Sequence, residues 1–106
     1  MEFQELTQRA MQIREQYAVL EDRQYGRAWT NEEFALGFVG DIGDLAKLVL
    51  AQNHVRDIPD AKAKLAHELA DCLWSTMVLA RLYEIDLEST FLQTIIDLEK
   101  LIASRL

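Results

Sequence analysis

The stretch Thr30-Asn31-Glu32-Glu33-Phe34-Ala35-Leu36-Gly37-Phe38-Val39-Gly40-Asp41-Ile42-Gly43-Asp44-Leu45-Ala46-Lys47-Leu48-Val49 decides the fold. Thr30 and Glu33 stand at capping-box spacing, which predicts a helix start: the threonine hydroxyl accepts from an early backbone amide and the glutamate reaches back to the cap. Phe34, Phe38, Ile42, Leu45 and Val49 then occupy an arc of roughly 80° at helical periodicity, so this segment is predicted to be an amphipathic helix. Gly37, Gly40 and Gly43 interrupt it at spacing three. Each costs about 1 kcal/mol of helix propensity relative to alanine, so they point to close approach of another helix or a ligand, or to local fraying.

On the N-terminal side, Phe3, Leu6, Ala10, Ile13, Tyr17 and Leu20 draw an apolar stripe that predicts a helix from about Phe3 to Asp22. Gly26 falls in the connection that ends near Trp29. On the other side, Arg56-Asp57-Ile58-Pro59-Asp60 reads as a turn, and a third helix is expected from about Ala61 to Tyr83. Its apolar residues between Leu69 and Leu82 point in nearly every direction, as expected of a helix that is central or at a subunit interface. Asp86 caps a fourth helix from Leu87 to about Ser104, with Leu87, Phe91, Ile95, Leu98 and Ile102 as its stripe. The expected fold class is all-α, a four-helix bundle.

The 106 residues, 50% apolar and 27% charged with one proline, suit one domain over residues 1–106 and argue against disorder. A globule of this length buries only about 65% of its unfolded surface, which makes oligomerisation a live option. The formal net charge of −7 disfavours nucleic acid as the main ligand. One cysteine allows no internal disulfide, no apolar run reaches membrane-span length, and the start Met-Glu-Phe-Gln-Glu lacks the pattern of a signal peptide. The expected compartment is the cytoplasm, with no membrane partner.

Two acidic pairs stand apart from surface charge. Asp41 and Asp44 lie one turn apart at the margin of the second helix's stripe, and Glu68 and Asp71 repeat the spacing on the third. Carboxylates at core margins are costly unless paired, hydrogen-bonded or bound to metal, and four converging would repel one another. A hard divalent cation such as Mg²⁺ supplies the compensation and suits metal-assisted transfer of a phosphoryl or nucleotidyl group to water. The plainer reading is that these acids reach solvent or pair with Arg14, Lys47, Lys64 or Arg81. Lys47 is one turn beyond Asp44 and Lys64 one turn before Glu68, so both are candidate phosphate contacts as well as solvated charges. Trp29 is a candidate base-stacking residue or a packing residue, whereas Trp74 and Cys72 read as structural. His54 suits a helix terminus, and His67 adjoins Glu68 but is expected to point elsewhere. An ExxH motif, a phosphate-binding glycine loop and a Ser-His-Asp nucleophile pattern are all absent.

Trp29 ahead of Thr30-Asn31-Glu32-Glu33, the run Phe38-Val39-Gly40-Asp41-Ile42-Gly43-Asp44-Leu45-Ala46, and Glu68-Leu69-Ala70-Asp71 together resemble the MazG-like all-alpha nucleotide pyrophosphohydrolases, a superfamily that includes the dimeric dUTPases. Tyr83-Glu84-Ile85-Asp86-Leu87-Glu88 looks like the start of that family's last helix, and the resemblance runs from about Trp29 to Leu101. The first pair here is Asp/Asp where the family has Glu/Glu, Gly40 replaces a frequent glutamate, and Thr94 and Asp97 stand about where many relatives carry Lys and Asn. The resemblance implies cleavage of a nucleoside triphosphate between its α and β phosphates with Mg²⁺ or Mn²⁺, in a homodimer or homotetramer. By match, Asp41, Asp44, Glu68 and Asp71 would be the metal ligands and catalytic acids. The alternative is a helical oligomer that binds nucleotide or a protein partner without turnover.

Overall fold

The computed structural model describes residues 1–106, which form four helices joined by short connections. The first, α1, spans Phe3–Tyr25 and runs one turn beyond the predicted end near Asp22. Nothing in Arg23, Gln24 or Tyr25 opposes the helix, and termination waits for Gly26, whose φ of 81° places it in the left-handed region and whose N–H donates to the Asp22 carbonyl at 2.8 Å.

The capping box predicted at Thr30 starts α2, Asn31–Gln52. Thr30 Oγ1 accepts from the Glu33 amide at 3.2 Å, and Glu33 Oε1 accepts from the Thr30 amide at 3.0 Å. Arg27 adds a fork to the same carboxylate, Nη1 to Oε1 at 2.6 Å and Nη2 to Oε2 at 2.9 Å. Together these donors pull the Glu33 carboxyl down to about 2, chiefly through the Arg27 hydrogen bonds. After a turn, α3 spans Ala61–Leu82; Asp60 before it has φ 54° and makes no side-chain cap. Asp86 accepts from the Ser89 amide at 3.2 Å and starts α4, Leu87–Arg105, as its position predicts.

α3 is central: it packs against α2, α1 and α4. These three neighbours account for part of its directionless apolar pattern, while Leu69 and Leu73 remain more than half exposed. The core gathers Ala10, Phe34, Met77 and Val78, of which Val78 has no exposed surface. Trp74 ties α1 to α3 by donating Nε1–H to the Ala10 carbonyl at 3.1 Å and receives the edge of Phe34 on α2 at 5.5 Å between centroids.

The predicted stripes are only partly inside this core. On α2, Phe34 and Leu48 are buried, whereas Ile42 and Val49 stay nearly half exposed. No residue of α4 is buried, and Phe91, Leu98 and Ile102 are each more than half exposed, because within the chain α4 makes its main contact with α3 alone. Leu36, Val39, Leu69 and Leu73 on α2 and α3 are exposed as well. The chain presents 8160 Å² of accessible surface, against about 6,100 Å² for a folded monomer of its mass. Its radius of gyration is 16.9 Å, against about 13 Å for a sphere-like domain of this length. No helix is long and apolar enough to cross a membrane.

Candidate functional site

α2 and α3 lie side by side with their acidic pairs facing a common region. Burial raises the Glu68 carboxyl above its ordinary range, and Asp71, Asp41 and Asp44 push it further in the same direction. Asp41 is likewise raised, first by burial and then by Asp71 and Asp44. The four acids predicted from the sequence therefore act on one another across two helices. Cys72 shares the region: burial and the charges of Asp41, Glu68 and Asp71 hold its thiol protonated.

Glu68 occupies the most demanding position. Its Oε2 has no accessible surface and no hydrogen-bond partner. A buried carboxylate oxygen without a donor is unfavourable, and it is relieved by a proton or by a cation. The donor set around it consists of carboxylate oxygens, the chemistry that Mg²⁺ prefers, although no three side chains stand in metal-holding arrangement. Asp44 is exposed at the outer edge of the group. Asp71 is held by His67, whose Nε2 lies 3.2 Å from Oδ2, so His67 does not point away from the acids as its sequence position suggested.

Asp41 and Asp71 also border a cavity of about 690 Å³ that opens between α1, α2 and α3. Six aromatic side chains line it, Tyr17, Tyr25, Trp29, Phe34, Phe38 and Trp74. This size and lining suit a planar heterocycle. Trp29 has a packing role and also reaches the cavity. It borders the cavity, and its ring packs on α2, where a Cβ added at Gly37 would lie 3.0 Å from Trp29 Cζ3. Gly37 is thus explained by close approach, while added Cβ atoms at Gly40 and Gly43 would meet nothing within 4 Å.

A polar clip in the wall of this cavity ties Trp29 to α1. Arg14 is 7% exposed, its guanidinium 5.3 Å from the Phe34 ring centroid. It donates from Nη1 to both Glu21 oxygens, at 3.2 and 3.3 Å, and from Nη2 to the Trp29 carbonyl at 3.0 Å. Glu21 Oε1 in turn accepts from the Trp29 amide at 2.8 Å, so both backbone groups of Trp29 are tied to α1. Glu21, Tyr17 and His67 were not among the residues singled out for the site, and Arg14, considered as a partner of the four acids, is instead taken by Glu21 and the Trp29 carbonyl. The available signal was the charge pair Arg14/Glu21 two turns apart on α1, flanking Tyr17 on the edge of an apolar stripe. Lys47 and Lys64, the predicted phosphate contacts, are exposed and do not border the cavity.

No protein-family profile, curated protein or solved structure matches this chain.

Proposed function

We propose that the chain is a metal-dependent nucleoside triphosphate pyrophosphohydrolase, with the heterocycle in the aromatic cavity and the phosphates directed toward Asp41, Asp44, Glu68 and Asp71. The observation that carries this reading is the buried, unpartnered Glu68 Oε2 beside three further carboxylates, with Asp41 and Asp71 shared between that group and the cavity. Such a constellation is stabilised by a divalent cation, and a triphosphate arrives with one.

In the reaction, a water oxygen forms a bond to the α phosphorus, the bond from that phosphorus to the bridging oxygen breaks, and monophosphate and pyrophosphate leave. Asp41, Asp44, Glu68 and Asp71 would hold Mg²⁺ or Mn²⁺, whose chemistry is to neutralise phosphate oxygens and acidify bound water. A carboxylate oxygen of the group that is not engaged with the cation would accept the proton of the attacking water. Tyr17, Trp29 and Trp74 orient the substrate by enclosing its ring.

Assembly belongs to the same reading. The chain exposes roughly 2,000 Å² more than a compact monomer would, and the apolar residues Phe91, Leu92, Leu98 and Ile102 on α4 account for part of it. A second copy of the chain covering this face would form a homodimer, which a homotetramer extends.

The test is pyrophosphate release from a panel of ribo- and deoxyribonucleoside triphosphates with Mg²⁺ or Mn²⁺, comparing wild type with Glu68→Gln. Metal-dependent release that the variant loses supports the enzyme. Absence of turnover across the panel by a folded helical oligomer overturns it in favour of a binding or protein-interaction subunit.

A further inference from the structure

The polar groups that line the aromatic cavity are unevenly distributed. Asp41, His67, Asp71 and Ser75 border it from α2 and α3, and Arg14, Glu21 and Gln24 border it from α1. The Glu21 side chain is 14% exposed, its charge compensated by Arg14. Its two oxygens differ. Oε1 accepts from the Trp29 amide at 2.8 Å and from Arg14 at 3.2 Å, which fills its two lone pairs. Oε2 has only the 3.3 Å branch from the same Arg14 nitrogen, so it retains acceptor capacity. Arg14 is occupied by Glu21 and the Trp29 carbonyl. The α1 side of the cavity therefore offers a fixed acceptor, without a free cationic donor beside it.

We propose that Glu21 sets base specificity: its Oε2 accepts a hydrogen bond from an exocyclic amino group of a nucleobase held in the aromatic cavity. This rests on the nucleotide reading given above. Acceptor-only carboxylates discriminate by charge and by direction. An amino group at the ring edge donates to Oε2, whereas a carbonyl oxygen at the same position sets two acceptors against each other and leaves both without a partner. Cytosine is thereby preferred over uracil, which differs from it at that edge by an oxo group in place of the amino group. Guanine is preferred over hypoxanthine, which lacks the 2-amino group. The clip to Trp29 gives the acceptor its precision, because Oε1 is anchored to backbone and the carboxylate plane cannot turn freely.

The experiment measures kcat/KM for pyrophosphate release from dCTP, dUTP, dGTP and dITP by the wild-type protein and by Glu21→Gln, with equilibrium binding of deoxycytidine and deoxyuridine followed by tryptophan fluorescence. Wild type is expected to favour dCTP over dUTP, and dGTP over dITP, by roughly tenfold or more. In Glu21→Gln the amide oxygen keeps the Trp29 N–H and the Arg14 Nη1 donor, while the new NH₂ group replaces Oε2 and forfeits the 3.3 Å branch from Arg14, so the preference for dCTP collapses and tips toward dUTP. Equal use of dCTP and dUTP by wild type, or a preference that Glu21→Gln leaves unchanged, overturns the assignment. The wild-type comparison stands even where the variant folds poorly. Deoxycytidine bound more tightly than deoxyuridine without any hydrolysis would sink the pyrophosphohydrolase reading and keep the Glu21 contact; absence of both hydrolysis and nucleoside binding overturns both.

Discussion

α1 and α4 are amphipathic helices of similar length, each lying against α3, and the chain treats them differently. α1 is locked: Ala10 and Arg14 are buried, Trp74 donates to the Ala10 carbonyl, and Arg14 and Glu21 hold both backbone groups of Trp29. α4 has a cap at Asp86 but contributes no buried residue, and its longest apolar side chains face outward. The difference lies in polar anchoring and in depth of packing. A helix held by buried residues and a hydrogen-bonded clip encloses a cavity, whereas a helix with neither leaves an apolar face exposed.

The largest effect that separates the two regions comes from paired truncations. Phe34→Ala removes a ring that is packed against Trp74 and lies under Arg14, and should cost about 3–5 kcal/mol in denaturant unfolding. Phe91→Ala on α4 should shift the unfolding of dilute protein by no more than about 0.5 kcal/mol, while lowering the association state seen by sedimentation at high concentration. Equal destabilisation by both changes at low concentration would break the comparison by placing α4 within the folding core of the single chain.

A smaller effect isolates the junction that leads from α1 into α2. The Glu33 carboxyl is held at about 2 in the folded protein by Arg27 and the Thr30 amide, against an ordinary value near 4.3 in an unfolded chain. Because the folded value is the lower one, this contribution is fully present above the unfolded value and is lost as pH falls from there toward about 2. The group is exposed, so the effect is modest and weakens with salt. Melting temperatures of wild type and Glu33→Gln should converge across that acid window; parallel curves from neutral pH down to 2 would contradict the assignment.

Local chemistry made the helix boundaries readable. Thr30/Glu33 and Asp86 each specify a cap through groups three residues apart, and both caps form as their spacing dictates. The end of α1 lies a turn beyond its apolar stripe, which stops at Leu20 while the helix continues on propensity to Tyr25 and is capped at Gly26. Periodicity marks the apolar face of a helix without naming what covers it, which is why the α4 stripe was legible as a stripe and its exposure was not. The site divides in the same way. Asp41, Asp44, Glu68 and Asp71 could be singled out because acids at a stripe margin conflict with burial, and the structure sets their charges against one another. Arg14 and Glu21 became visible only once α1 was docked, since their role depends on Trp29 and Phe34, which belong to other segments.

The most direct measurement of the central claim is Mn²⁺ binding to wild type and to Glu68→Gln at neutral pH without nucleotide, read from the loss of the free-ion resonance signal. Wild type is expected to bind saturably, and the variant to lose that binding while keeping its helical content and melting transition. Identical binding curves for the two proteins, or no saturable binding by wild type, would contradict the claim that these four acids form one cation site.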